Sequence, residues 1–229
     1  MARGPSVRRG RAPRARAVSR SLISLAACTP KTTLQYDIGL TSVQRPASAE
    51  EQYGEQVITP VKDSVVSYRF EDKLITATFY VATNQIFLDL TNNGDFPIQI
   101  PWDEAAFVDP RGQSQAVMHN GVKYSDCNSP KAPSVIVGKG HLTDFIVPCN
   151  YVQVEDDSRG ALNFLPDTGK VRVDSADVVA KRIESEVKGE TLQVLLPIKT
   201  RDAVNDYTFT FRVNSVSAVP RAKNQQAPR

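Results

Sequence analysis

The fold is decided by one stretch of the chain, residues 65–90, which reads VVSYRFEDKLITATFYVATNQIFLDL. Apolar and polar residues alternate in three successive segments of this stretch, most regularly over residues 75–81. Such alternation predicts half-buried β-strands, because successive side chains of a strand point to opposite faces. The short polar segments between them, residues 71–73 and 83–85, predict hairpin connections.

The same alternation continues through most of the chain, and ends with residues 192–198 and 207–213. One segment departs from it: Ser175 can cap a helix with an apolar stripe of Val179, Ile183 and Val187, which Gly189 would end. About nine short strands with turn signals every 8–12 residues predict a mainly β chain, a single antiparallel β-sandwich of immunoglobulin-like type or a related barrel. We expect one short helix on this body and a buried Trp102.

The positive charge of the chain is concentrated at one end. The 229 residues include 28 Lys and Arg against 25 Asp and Glu, a formal net charge of +3. Seven arginines lie within residues 1–27, which contain no acidic residue, so residues 28–229 hold 21 basic against 25 acidic residues. The body is therefore acidic. With no basic stripe interleaved with aromatic residues, the sequence argues against a nucleic-acid partner.

The arginine-rich residues are followed by a short apolar stretch that ends at Leu25-Ala26-Ala27-Cys28. A basic region, an apolar region and small residues, in that order, are typical of a secretory signal. The four residues resemble the lipobox of bacterial lipoproteins. The resemblance implies removal of residues 1–27, diacylglycerol and palmitate on Cys28, and attachment to a membrane of the cell envelope. Thr29 resembles the residue found after the cysteine in lipoproteins sorted to the outer membrane.

The layout predicted from these features has four parts: a signal peptide at residues 1–27, a flexible tether at 28–61, a β-sandwich domain at 62–216 and a disordered tail at 217–229. The tether is predicted from its polar composition, which offers little apolar surface to bury. This order is similar to that of small envelope lipoproteins with an immunoglobulin-like domain. An alternative keeps the arginine-rich residues as a basic arm on a protein that is not exported.

Two further cysteines, Cys127 and Cys149, remain once Cys28 is assigned to lipid. An exported domain favours a disulfide between them, which would hold the insertion at residues 121–133. A metal site is the alternative, because His119, Cys127, His141 and Cys149 offer two imidazoles and two thiolates, a reasonable zinc shell. The closely spaced ligand pairs of common zinc sites are missing, so we expect no metal and no cofactor.

No hydrolase, phosphate-binding or dinucleotide-binding motif is present in the sequence. The interpretation is therefore a non-catalytic binding or assembly module that faces the periplasm and contacts an envelope protein or a polysaccharide. Its binding loops would be residues 93–96, 121–133 and 154–160. The competing hypothesis is a small envelope hydrolase or metal-binding protein that uses His119 or His141.

Overall fold

The computed structural model describes Met1 and residues 32–62, 65–155, 158–166, 176–201 and 203–220. The β-strands are β1 Thr32–Gln44, β2 Val57–Lys62, β3 Val66–Glu71, β4 Ile75–Val81, β5 Ile86–Asn92, β6 Ile98–Ile100, β7 Ala106–Val108, β8 Ser114–Met118, β9 Ser134–Ile136, β10 His141–Pro148, β11 Val152–Glu155, β12 Ser158–Ala161, β13 Thr191–Lys199 and β14 Val204–Pro220. The helices are α1 Ala47–Tyr53 and α2 Ala176–Val187. The predicted mainly β, antiparallel class is confirmed.

Twelve of the described strands form one sheet, with the order β1-β14-β13-β7-β8-β10-β5-β4-β3-β2 and a branch in which β6 pairs with β13 and β9. The strands β11 and β12 form a separate hairpin. Residues 65–90 supply β3, β4 and β5 as consecutive antiparallel neighbours, as their alternation predicts. Their inward positions, Phe70, Ala77, Phe79 and Leu88 among them, are almost completely buried.

The sheet curls until it is nearly closed like a barrel. Phe70 and Phe79 pack against Phe209 of the distant strand β14, with ring centroids 5.6 and 4.6 Å apart. The two ends of the sheet meet where β1 approaches β3. A Cβ atom on Gly39 of β1 would lie 3.1 Å from the hydroxyl oxygen of Tyr68, so glycine permits this close approach.

The prediction of a flexible tether at residues 28–61 is wrong from Thr32 onward. Residues 32–44 form β1, which pairs along its length with β14, and residues 47–53 and 57–62 form α1 and β2. Leu34, Tyr36, Ile38 and Leu40 alternate with Gln35, Asp37 and Gly39, a period of two that indicates a strand. An irregularity in the pairing between Leu40 and Ser42 interrupts that alternation. The polar average composition of residues 28–61 therefore hid the strand pattern.

The sheet also extends beyond the predicted end of the domain. The tail was expected from residue 217, yet β14 continues to Pro220, which is aligned with Thr32 of β1. The domain is therefore not bounded by residues 62 and 216. Residues 221–229 lie outside the described residues, as do residues 2–31 with the predicted signal peptide and Cys28.

The predicted helix is confirmed as α2. Of the predicted stripe, Ile183 and Val187 are buried and Val179 is half-buried, while Ala176 and Ala180 complete the buried face. Ser175, the predicted cap, lies outside the described residues. Gly189 follows with φ +90°, the left-handed conformation that commonly ends a helix, and its N–H donates to the carbonyl of Val213. Helix α2 therefore packs against β14 and ends beside the start of β13. Helix α1 lies beside the turn that follows β3.

Candidate functional site

Cys127 and Cys149 form a disulfide, with their Cα atoms 5.7 Å apart. The bond lies in a small apolar cluster with Met118 and Val147, separate from the main core. Tyr124 and Phe145 pack around this cluster. The predicted pairing is confirmed, and it fastens the insertion of residues 121–133 to the end of β10.

The four residues of the hypothetical metal site do not come together as ligands. Both sulfur atoms are in the disulfide, so neither is available as a thiolate. His141 is exposed at the start of β10, whereas His119 is packed against Trp102. In the described part of the chain, no three His, Cys, Asp or Glu residues converge on a point that could hold a metal ion.

His119 stacks on Trp102. The sequence predicts burial of Trp102 but gives no indication of this stack. The indole ring of Trp102 lies parallel to the imidazole of His119, with centroids 4.3 Å apart and an interplanar angle of 8°. The indole N–H donates to the hydroxyl of Ser134 at 2.8 Å. Trp102 is 1% exposed, so its predicted burial is confirmed.

Asp144 of β10 completes the stack. Its Oδ2 lies 3.3 Å from Nδ1 of His119, and its Oδ1 accepts the backbone N–H groups of Asn120 and Phe145, both at 2.7 Å. These residues join β8, β9 and β10 where β10 is paired with β8 over only two residues, Val147 and Pro148. The imidazole is thus held between a tryptophan and a carboxylate that backbone N–H groups already bind, an arrangement that ties the strands together.

A second buried polar cluster was not predicted. Arg45 Nη1 lies 2.7 Å from Asp72 Oδ2, and the two side chains are 2% and 0% exposed. The hydroxyl of Tyr207 donates to the same oxygen at 2.9 Å, and Arg45 also donates to the carbonyl of Gly54. Burial and the carboxylate of Asp72 raise the pKa of Tyr207 far above its ordinary value. This cluster connects the end of β1, the turn after β3 and the start of β14.

Asp72 lies in the polar segment 71–73 that predicts a hairpin. The hairpin is present, but its aspartate is 6% exposed and its Oδ1 accepts the N–H groups of Leu74 and Ile75 at 2.8 and 2.9 Å. Short polar turns are usually solvated, so the sequence offered no signal that this one is covered. The charge of Arg45 is paired with that of Asp72, and the pair holds the turn after β3 against the residue that follows β1.

Three of the exposed apolar side chains lie on neighbouring segments and form, with Arg201, what we call the distal patch: Phe96, Val135 and Val137. These three are 58%, 59% and 64% exposed. The strands β6 and β9 place them close together, because Ile98 is aligned with Ile136. The guanidinium carbon of Arg201 lies 4.3 Å from the ring centroid of Phe96, a cation–π contact.

The three predicted binding loops are separated. Residues 93–96 contribute Phe96 to the distal patch, and Lys139 of the neighbouring turn donates its N–H to the carbonyl of Gly94 at 3.0 Å. Residues 121–133 and the hairpin β11–β12 meet instead around the disulfide cluster. Within the third loop, residues 156 and 157 lie outside the described residues.

Comparison with protein families, with curated proteins and with solved structures finds no match to this chain. Among the described residues, none of the helices has the length and apolar character required to cross a membrane.

Proposed function

We propose that this chain is an exported lipoprotein of the cell envelope, attached by lipid on Cys28, whose β domain is a non-catalytic binding or assembly module. The observation that carries the binding role is the distal patch, where three large apolar side chains are more than half exposed. Contiguous exposed apolar surface is costly in water and marks interaction sites. The outer membrane, facing the periplasm, is the location we propose from Thr29.

A protein partner fits the distal patch better than a polysaccharide. Sugar rings stack on flat aromatic faces, and the only aromatic face of the patch, Phe96, is already covered on one side by Arg201. Val135 and Val137 offer aliphatic surface from a short strand, which suits burial against another protein. Another envelope protein is therefore the partner that we propose.

Two observations support the lipid anchor. The residues before Cys28 have the order of a lipoprotein signal. The other two cysteines are joined in a disulfide, a bond that persists in exported proteins and is rare in the cytosol. Under this proposal each of the three cysteines has a role.

The anchor is tested by mass spectrometry of the protein purified from the membrane fraction of a bacterium that expresses the full chain. We expect a first residue of Cys28 that carries acyl chains, and loss of both acylation and membrane association in Cys28→Ser. The Cys127→Ser/Cys149→Ser double variant is the control and should keep the acyl chains. An unmodified, arginine-rich first segment in the membrane-bound protein would overturn the proposal.

The binding role is tested with a photo-reactive amino acid placed at residue 135, in cells that express the full chain. We expect a discrete covalent adduct, and its loss when Val137→Asp is added. Val178 on α2 is 70% exposed, and α2 ends beside the start of β13, whereas the distal patch adjoins the end of that strand, so the same probe there is the matched control. No adduct at residue 135, or the same adduct from both positions, would contradict a specific surface at the patch.

The immunoglobulin-like class stays a prediction. The packing of β3 and β4 against β14 supports two facing layers, as in a sandwich. The consecutive order of β2, β3, β4 and β5 is a meander, which fits the related barrel equally well. An experimental structure that shows how β1 meets β2 and β3 distinguishes the two.

A further inference from the structure

The chain contains two asparagines that are followed directly by glycine, Asn93-Gly94 and Asn120-Gly121. They lie in the connections after β5 and β8. An asparagine in such a pair can lose its side-chain amide without an enzyme, because glycine has no Cβ atom to hinder attack by its own backbone nitrogen. The structure places the two pairs in different surroundings.

Hydrogen bonds hold both reacting groups of the first pair. The side-chain amide of Asn93 donates to the carbonyl of Asp72 at 2.8 Å and to the hydroxyl of Thr76 at 3.0 Å. The backbone N–H of Gly94, which would have to attack, donates to Oδ1 of Asn92 at 2.9 Å. Deamidation of Asn93 therefore requires that these hydrogen bonds open first.

The second pair is exposed at both residues. A single backbone hydrogen bond closes its turn, from the N–H of Val122 to the carbonyl of His119 at 3.2 Å. Gly121 has φ +87°, and a Cβ atom there would meet nothing within 4 Å. Among the described residues, none forms a hydrogen bond with the side-chain amide of Asn120 or with the N–H of Gly121.

We propose that Asn120 is a site of spontaneous deamidation in the folded protein, with the backbone nitrogen of Gly121 as the nucleophile. This nitrogen bonds to the side-chain carbonyl carbon of Asn120, its proton passes through solvent to the amide group, and that group leaves as ammonia. Water then adds to either carbonyl of the resulting succinimide and opens the ring. The product is aspartate, or isoaspartate in which the backbone runs through the former side chain.

The modification adds a negative charge beside a buried carboxylate. The backbone N–H of Asn120 donates to Oδ1 of Asp144 at 2.7 Å, and Oδ2 of Asp144 lies 3.3 Å from Nδ1 of His119. Asp144 is 5% exposed, so water screens a nearby like charge poorly. Isoaspartate also lengthens the backbone where the insertion of residues 121–133 begins. Deamidation therefore acts on the stack that ties β8, β9 and β10 together.

The test follows both pairs in the purified full chain. Samples are kept at mildly alkaline pH and physiological temperature, and peptide mass spectrometry measures conversion of amide to acid at each asparagine. We expect conversion at Asn120 to be faster than at Asn93 by about tenfold or more, because the hydrogen bonds of Asn93 must open first. In urea that unfolds the chain, the two rates should become similar, since only the fold distinguishes the pairs.

A matched pair of glycine variants tests the nucleophile. Gly121→Ala places a methyl group beside the attacking nitrogen and should slow conversion at Asn120 severalfold. Gly112→Ala is the control, because it makes the same change at φ +79° with no asparagine before it, and it should leave the rate unchanged. Equal rates at Asn93 and Asn120 in the folded protein, or conversion at Asn120 only in urea, would overturn the proposal.

The effect on the stack is tested without waiting for the reaction. Asn120→Asp introduces the charge directly and should lower the midpoint of thermal unfolding. Asn128→Asp makes the same change at an exposed residue of the same insertion and should leave the midpoint unchanged. Equal midpoints in these two variants would contradict the effect on the stack.

Discussion

Asp72 is the residue at which the ends of three separate elements converge. It accepts hydrogen bonds from Arg45, Tyr207 and the backbone of Leu74 and Ile75. A buried ion pair contributes little net stability when intact, but loss of one partner leaves the other charge in a site that water cannot reach. The removal of Asp72 therefore costs more than its hydrogen bonds contribute.

We predict that Asp72→Ala lowers the free energy of unfolding by about 3–5 kcal/mol, because the guanidinium of Arg45 is left buried and unpaired. Urea-induced unfolding measures the change. Glu184→Ala is the control: it removes the exposed ion pair between Glu184 and Lys188, 3.1 Å apart, and should change stability by less than about 0.5 kcal/mol. Equal effects of the two substitutions would contradict the structural role of Asp72.

Because of Tyr207, we expect the stability of the protein to depend on pH in the alkaline range. Burial, and then the nearby carboxylate of Asp72, raise the pKa of its phenol in the folded protein. A pKa that is higher in the folded state than in the unfolded state favours folding at pH values below the unfolded pKa. This contribution is lost as the pH rises further, because the unfolded chain releases a proton that the folded chain retains.

We predict that the free energy of unfolding falls as the pH rises above about 10, and that Tyr207→Phe makes this fall shallower. The substitution keeps the aromatic packing against Phe70, whose ring centroid is 5.8 Å away. At neutral pH it should cost about 1.5–3 kcal/mol, for a hydrogen bond to a charged group. Urea titrations of both proteins at several pH values measure the difference, and an unchanged pH dependence in Tyr207→Phe would refute the prediction.

At the scale of elements, the disulfide holds a connection rather than the main core. The bond lies in the small cluster around Met118 and Val147, and it fixes residues 121–133 beside the end of β10. The bond joins cysteines 22 positions apart, and closing this loop lowers the conformational entropy of the unfolded chain. The main core between β4, β5 and β14 includes neither cysteine.

We predict that Cys127→Ser/Cys149→Ser lowers the free energy of unfolding by about 3 kcal/mol and leaves the β-sheet content unchanged. Thermal unfolding followed by circular dichroism gives both quantities. Limited proteolysis should detect new cleavage within residues 121–133. Cys28→Ser, which changes a cysteine outside the described sheet, should change neither. A double variant as stable and as resistant to protease as the parent would contradict this assignment.

At the scale of the whole molecule, the residues predicted as a tether are one side of the barrel. Tyr36, Ile38, Leu40 and Val43 of β1 are buried in the main core, and Arg45 follows directly. Without β1, β14 loses its only neighbour on that side among the described strands. The apolar surface that β1 covers would be exposed to water.

We predict that a fragment of residues 62–216, the domain expected from sequence, fails to fold, whereas residues 32–220 fold cooperatively. Thermal unfolding and size-exclusion chromatography compare the two fragments. The longer one should melt within a few degrees of the chain from residue 28, because it contains all the described elements. A cooperative transition in the shorter fragment would show that β1 is dispensable.

The sequence alone determined the features that depend on residues close together in the chain. The period of two in residues 65–90 specified β3, β4 and β5, and the stripe from Val179 to Val187 specified α2. The disulfide between Cys127 and Cys149 was predicted on the assumption that Cys28 carries lipid, and the structure contains this bond. Local periodicity records which face of an element is buried, whatever that face packs against.

The tertiary structure decided what depends on contacts between distant residues. Asp72 and Tyr207 are 135 positions apart, and Arg45 was assigned to a tether, so no local pattern could bring them together. The exposure of Val135 and Val137 also depends on the tertiary structure. Their alternation with Ile136 predicts a strand, but it does not show whether another segment covers the outer face of that strand. The alignment of Thr32 with Pro220 exists only because the last strand pairs with the first. Burial and pairing between remote segments are properties of the closed sheet, and the free energy that fixes them comes from the whole core rather than from any one stretch of sequence.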